Sequence, residues 1–121
     1  MNWNSIPNFK ESEFACPCCG RNPVHPDSVY MLQRARTIAN VSFTIDSAFR
    51  CTQKNKEVGG REDSSHLRSY AFDIRCTSSR NRFKIIQALI LAGFTRIGIY
   101  ENFIHADNDP DLDNEVVWYG K

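Results

Sequence analysis

Long apolar runs are missing from this chain. No stretch approaches the roughly 18 residues needed to cross a bilayer, so no membrane span is expected. The opening Met1-Asn2-Trp3-Asn4-Ser5 has neither a basic segment nor an apolar core. No secretory signal is visible, and the expectation is cytoplasmic synthesis with export or release by another route. Charge of one sign is scarce too. With 15 Lys+Arg against 14 Asp+Glu the net charge is +1, without the basic excess of a dedicated nucleic-acid binder. Internal repeats, low-complexity tracts and linkers are lacking, so the 121 residues read as one domain over 1–121. The remaining composition, 41% hydrophobic and 24% charged, is globular and excludes a disordered tail, a collagen-like repeat and a coiled coil.

Charge is nevertheless uneven along the chain. Arg50, Lys54, Lys56, Arg61, Arg68, Arg75, Arg80, Arg82 and Lys84 make the middle basic, and Glu101 to Glu115 is acidic. Two solvated faces of opposite sign account for this, and a basic cleft for an anionic substrate stays open as a second reading. Cysteine is present in an odd number, as Cys16, Cys18, Cys19, Cys51 and Cys76. Without a secretory signal, reduced thiols are the default. Cys16-Pro17-Cys18-Cys19-Gly20 invites comparison with a zinc knuckle, but a structural site normally needs four ligands as two separated pairs. Cys51 and Cys76 stand alone in the sequence, so a packed turn or a local disulfide is the expectation for the cluster. A small zinc protein binding nucleic acid through these cysteines is disfavoured by the missing basic excess.

The pattern predicts an α+β fold: a small antiparallel sheet with two main helices packed on it. Residues 1–26 read as irregular, with a helical turn at Lys10–Phe14. Pro26 and Asp27 open a helix with Val29, Leu32, Ala35, Ile38 and Ala39 at helical spacing, closed by Asn40. Val41–Ser47 reads as a strand. Residues 48–69 lack any sustained period and read as a long loop, a length usually reserved for function or disorder. Tyr70–Arg75 alternates, with Tyr70, Phe72 and Ile74 on one face and Ala71, Asp73 and Arg75 on the other. Ser78 or Ser79 caps a second helix through Ala92, with Phe83, Ile86 and Ile90 as its buried stripe and Gly93 as its stop. Thr95–Tyr100, Phe103–Asp107 and Val116–Tyr119 read as strands.

Histidine occurs only as His25, His66 and His105. His66 lies seven residues before Asp73. On a helix that separation would be about 10.5 Å, too far to share one ion, but a loop folding back onto a strand closes it. His105 on another strand would complete a set of two histidines and one aspartate. Such a set leaves zinc's fourth tetrahedral position open, the pattern of a catalytic site. Spacing alone leaves surface or capping roles equally open. His25, between Val24 and Pro26, reads as a surface bystander.

A wider pattern narrows the choice. Ser64-Ser65-His66-Leu67-Arg68-Ser69-Tyr70-Ala71-Phe72-Asp73 resembles the Ser-x-His-x-x-Gly-x-Ala-x-Asp signature of the zinc D-Ala-D-Ala carboxypeptidase family, which includes vancomycin-resistance dipeptidases and phage L-alanyl-D-glutamate endolysins. Ser47-Ala48-Phe49-Arg50-Cys51 resembles the family's Ser-Gly-Tyr-Arg segment, and Asn55, Val58, Gly59 and Gly60 match Asn-x-x-Val-Gly-Gly. Phe103-Ile104-His105-Ala106-Asp107 resembles Phe-(Ile/Val)-His-Val-Asp, and Trp118 resembles a tryptophan near the C-terminus. The resemblance implies a hedgehog/DD-peptidase-like fold and one zinc ion on His66, Asp73 and His105, with Arg50 on the substrate and the developing oxyanion. It implies peptidoglycan stem peptides as the partner, hydrolysed by a monomeric metallopeptidase. A phage lysis or virion enzyme, or a catalytic unit on a larger assembly, fits the small size.

Three positions depart from the family pattern. Ser69 replaces glycine, which strains the backbone by roughly 1–2 kcal/mol if φ is positive there. Gln53 stands where histidine is frequent. Asn102 stands where relatives carry an acidic residue or histidine, and an amide cannot take a proton at neutral pH. Glu101 is therefore the expected general base, because on an unbroken strand it shares a side with Phe103, His105 and Asp107. Asp107 is expected to orient an imidazole or Arg50, Ser64 to support the site, and Tyr100 and Trp118 to wall the cleft. The altered positions also allow a different class of function, a zinc-containing module that binds wall peptide without cutting it.

Overall fold

The computed structural model describes residues 2–120. Three helices and five strands follow the chain as α1 (Pro26–Ala39), β1 (Ile45–Ser47), α2 (Thr52–Glu57), β2 (Ala71–Arg75), α3 (Ser79–Ala92), β3 (Arg96–Ile99), β4 (Phe103–Asp107) and β5 (Val116–Tyr119). Short 3-10 turns at Trp3–Ser5 and Glu11–Phe14 precede them. The α+β expectation holds, with one helix and one strand direction added to it.

Helix ends fall where their capping chemistry lies. Proline opens α1, and Asn40 closes it in the left-handed region at φ +54, its N–H donating to the Arg36 carbonyl. Ser78 caps α3 through the Asn81 N–H, and Gly93 at φ +114 ends it. The buried face of α3 differs from the expected one. Ile85, Ala88, Leu89 and Ala92 are buried, whereas Phe83 is 69% exposed and Ile90 51%. Both sets have helical spacing. Alanines at 88 and 92 allow α3 to lie close against α1, so the smaller residues take the inner face. In α1, Val29, Leu32, Ala35 and Ala39 are buried, and Ile38 is left half out.

The sheet order is β1-β2-β4-β3-β5. β1 with β2, β2 with β4 and β4 with β3 are antiparallel, but β5 runs parallel to β3. The wholly antiparallel sheet expected from sequence is thus corrected at one edge. After β4, residues 108–115 carry the chain back across the end of the sheet, so β5 starts on the far side of β3.

Register separates the two faces. Phe72 lies opposite Ala106 and Ile74 opposite Ile104, with Ile97 beside Ala106, and all five are buried under the helices. Asp73 lies opposite His105, and Gly98 lies between His105 and Trp118 on the other face. The N-terminal segment has little regular backbone yet fills the core. Phe14 is fully buried, 5.6 Å from the Phe72 ring and 5.7 Å from Phe9. Truncating such a phenylalanine typically costs about 3–5 kcal/mol.

Candidate active site

The antiparallel pairing of β2 and β4 sets Asp73 and His105 side by side on the face away from the helices. His66 reaches them from a folded-back loop. Leu67, Arg68 and Ser69 donate their N–H groups to the carbonyls of Ser64, Ser65 and His66, and Tyr70 N–H returns to Ser65. Ser69 completes the reversal at φ +68, the conformation that the expected glycine would take without strain. The ligating atoms of His66, Asp73 and His105 all lie within 4.8 Å of one another.

Each imidazole has its outward nitrogen occupied. His66 Nδ1 lies 2.6 Å from the Ala48 carbonyl, which can only accept, so Nδ1 carries the proton and Nε2 faces Asp73 Oδ1 at 3.2 Å. His105 Nε2 lies 2.6 Å from Asp107 Oδ2, and Nδ1 lies 3.0 Å from Asp73 Oδ1. Outward partners of this kind orient imidazoles for a metal. Burial opposes the His105 cation, but hydrogen bonds to Asp107 and Asp73 outweigh it and raise its pKa to about 9. Burial likewise works against the Asp73 carboxylate, and the two imidazoles still hold it well below the ordinary carboxylate range.

Asp107 is fully buried and braced on its second oxygen. Oδ1 accepts the Asp109 N–H at 3.1 Å and lies 3.0 Å from Arg96 Nε. That Arg96 contact is an ion pair by distance and falls off the line of a hydrogen bond. Arg96 also lies over the Trp118 ring, 5.2 Å from its centroid, and donates to the Asp113 carbonyl. Arg96 is a site residue that sequence reasoning missed. Its signal was alternation along β3, which puts Arg96 and Gly98 on the His105 face.

Arg50 follows β1. Its N–H donates to the His66 carbonyl at 3.2 Å, and its guanidinium donates from one terminal nitrogen to Ser64 Oγ at 3.1 Å. Ser64 Oγ also accepts the His66 N–H at 3.2 Å, so Ser64 links the cation to the imidazole loop. Arg50 Nε is buried with no acceptor among the described residues. Burial lowers the Arg50 pKa, with the Asp73 charge opposing the shift. This is a partly desolvated cation with free donor capacity at the cleft.

The cleft has a volume of about 760 Å³ and includes Arg50, Ser64, Asp73, His105, Tyr100 and Trp118 in its lining. Trp118 Nε1 donates to the Tyr100 hydroxyl at 2.9 Å, and its ring lies 5.4 Å from that of His105. Gly98 beneath it must be glycine, since a Cβ would meet the indole at 2.7 Å. The Asn55–Gly60 motif shapes the rim. Asn55 Nδ2 holds the Arg61 carbonyl at 2.9 Å, and a Cβ on Gly60 would strike the Asn55 side chain at 2.1 Å.

The structure does not bring Glu101 to this cluster. β4 begins at Phe103, and Glu101 sits exposed in the tight turn that Tyr100 N–H closes onto the Phe103 carbonyl. The alternation that would have aimed it at His105 begins two residues too late, at Phe103. Besides Asp73 and Asp107, the carboxylates that border the cleft are Asp63, Asp111 and Asp113. Asn102 is likewise an exposed turn residue, and Gln53 lies exposed on α2. His25 is not a bystander. It stacks on Tyr70 at 4.0 Å, and its Nε2 lies 3.1 Å from the Arg68 carbonyl, bracing the loop that carries His66.

The model of a family described as Peptidase M15 matches residues 7–107. A search of curated proteins finds no match.

Proposed function

Because the chain belongs to the peptidase M15 family, we propose that it is a zinc metallopeptidase hydrolysing the stem peptides of bacterial peptidoglycan. The observation that carries this reading is the convergence of His66 Nε2, Asp73 Oδ1 and His105 Nδ1 within 4.8 Å, each imidazole fixed from behind by an acceptor. Two imidazoles and one carboxylate fit zinc and leave a fourth position toward the cleft. A zinc ion there would supply Lewis acidity, polarising the scissile carbonyl and acidifying a water.

The chain's own groups do the rest. Arg50, with its unpaired Nε, is placed to stabilise negative charge that grows on the carbonyl oxygen, a contribution that is largest in the transition state. Ser64 holds the guanidinium against the His66 loop. Asp107 keeps the His105 ring in register, and Trp118 with Tyr100 forms an apolar wall for the substrate's peptide backbone. A carboxylate bordering the cleft, Asp63, Asp111 or Asp113, would serve as the general base that takes a proton from water and returns it to the leaving amine.

A second reading, a zinc-containing module that binds wall peptide without cutting it, has one observation in its favour: Glu101 and Asn102 both lie outside the cleft. Incubation with muropeptides, followed by mass spectrometry, separates the two. Cleavage of a stem-peptide bond that stops with a chelator and returns with zinc supports the peptidase. Asparagine at each of the three cleft positions then identifies the base as the one whose loss lowers kcat with zinc retained. Zinc on the His66 cluster without hydrolysis of any muropeptide favours the module, and failure of that cluster to hold metal removes both readings.

A further inference from the structure

Cys51, alone in the sequence, is not alone in the fold. The sulfurs of Cys16, Cys19 and Cys51 all lie within 4.8 Å of one another. Cys16-Pro17-Cys18-Cys19 turns back on itself. Gly20, at φ +74, donates its N–H to the Cys16 carbonyl at 2.8 Å, and Cys16 N–H returns to the Arg21 carbonyl at 2.8 Å. This reversal aims the first and last thiols of a Cys-x-x-Cys pair the same way, a spacing common in structural zinc sites. Cys51 N–H points at Cys16 Sγ at 3.5 Å, and Cys51 Sγ itself accepts the Lys54 N–H at 3.4 Å. Cys18, between Cys16 and Cys19 in sequence, is exposed.

All five cysteines are free thiols. A disulfide would join two of the three clustered sulfurs at about 2.05 Å and leave the third facing them. Tetrahedral zinc, with Zn–S near 2.3 Å, places sulfurs roughly 3.8 Å apart, and so needs only a small inward movement from the spacing seen here. The Cys51 N–H aimed at the Cys16 sulfur favours its thiolate form. Thiolates select zinc over the hard divalent ions.

We propose that Cys16, Cys19 and Cys51 form a three-thiolate site for a structural zinc ion distinct from the His66–Asp73–His105 cluster. Of the other two cysteines, Cys18 is exposed and Cys76 is buried elsewhere with its thiol directed at the Ser78 carbonyl. The ion would tie the N-terminal segment, which lacks a sheet or α-helix of its own, to the residue directly after Arg50. It would also pin α2, which has too few residues to be stable alone. Its role is to position the rim of the cleft, and it does not depend on the catalytic reading above.

Protein purified under reducing conditions without chelator is expected to carry two zinc ions per chain, and the Cys51→Ser variant one. Cobalt(II)-loaded protein is expected to show a thiolate-to-cobalt charge-transfer band that persists in His66→Ala/His105→Ala, persists in Cys76→Ser, and disappears in Cys51→Ser. Histidine–aspartate ligation gives no such band, so the spectrum reads this site even if the other cluster binds nothing. If Cys51→Ser does not fold, the cobalt spectrum of the unaltered chain still decides. Absence of the band there, or an intact mass lower by two hydrogens than that of the reduced protein, marking a disulfide, overturns the proposal.

Discussion

Without a metal ion, the histidine–aspartate cluster should hold a proton. His105 then sits between two acceptors, Asp107 Oδ2 at 2.6 Å and Asp73 Oδ1 at 3.0 Å, and only the imidazolium can donate to both. Its pKa is raised to about 9 in the folded chain. The span from an ordinary histidine near 6.5 to 9, at 1.36 kcal/mol per pH unit, amounts to about 3 kcal/mol. The raised folded value fixes the sign. This stabilisation is complete below pH 6.5 and is lost as pH rises through 9. Zinc requires a bare Nδ1, so near pH 7 the proton weakens metal binding by roughly 100-fold relative to pH above 9. Cys16, lowered to about 7, gains stabilisation over the same interval, so whole-protein melting mixes two opposite slopes. A site-resolved signal is needed. With only three histidines, the ring Cε1–H resonances of chelator-treated protein can be followed individually by NMR. One should titrate near pH 9, drop toward 6.5 in Asp107→Asn, and cease to titrate when zinc is added. A His105 midpoint at or below 6.5 in the unaltered chain would refute the reasoning.

Three further outcomes follow from the same geometry. Arg50→Ala removes the unpaired donor at the cleft and should lower kcat on a muropeptide by about 100- to 1,000-fold, with zinc content unchanged by elemental analysis. Ser69→Gly relieves the positive φ of +68 at a buried position. Part of the strain relief is offset by glycine's backbone entropy, which leaves a gain of about 1 kcal/mol, or roughly 3–6 °C in Tm by calorimetry. Arg68 Nε donates to Asp109 Oδ2 at 2.7 Å, and the Asp109 carboxylate is buried. Arg68→Ala strands that charge and should cost about 3 kcal/mol in urea unfolding, whereas Arg68→Ala/Asp109→Ala together should cost less than Arg68→Ala alone.

What could be read from sequence was whatever local chemistry decides. Pro26, Asn40, Ser78 and Gly93 mark helix ends because caps act within a turn. Period-two alternation put Asp73 on the side opposite Phe72 and Ile74, which the register with β4 bears out. The clustering of His66, Asp73 and His105 was legible because the motif fixes their residue types and order along the chain. Long-range choices were not legible. Two stripes on α3 had equal helical spacing, and only its approach to α1 selects between them. The parallel edge depends on where residues 108–115 cross, which no local pattern records. Glu101 lies off the cluster because the turn closed by Tyr100 and Phe103 holds it, two residues before β4 and its alternation begin. Cys51 gained its neighbours from a chain reversal more than thirty residues away.

The stretch between β1 and β2 explains how an irregular segment can place His66 beside two side chains held by strands. Its only helix, α2, is short, and no ladder of backbone bonds runs through it. Individual contacts take their place. Asn55 pins the Arg61 carbonyl, Ser64 joins Arg50 to the His66 N–H, and Arg68 anchors to Asp109 beyond β4. His25 stacks on Tyr70 where the chain re-enters the sheet. The contacts of Asn55 and Ser64 bind the stretch to itself, and those of Arg68 and Tyr70 tie it to Asp109 and His25 outside it. The consequence is a division of labour on one sheet. Asp73 and His105 take their separation from antiparallel register, which cannot drift without moving Phe72 and Ile104 out of the core. His66 takes its position from scattered side-chain bonds, whose loss would move one ligand and leave the other two in place. Substitutions at Ser64 or His25 should therefore weaken metal binding with the fold intact, whereas substitutions beneath β2 or β4 should remove both together.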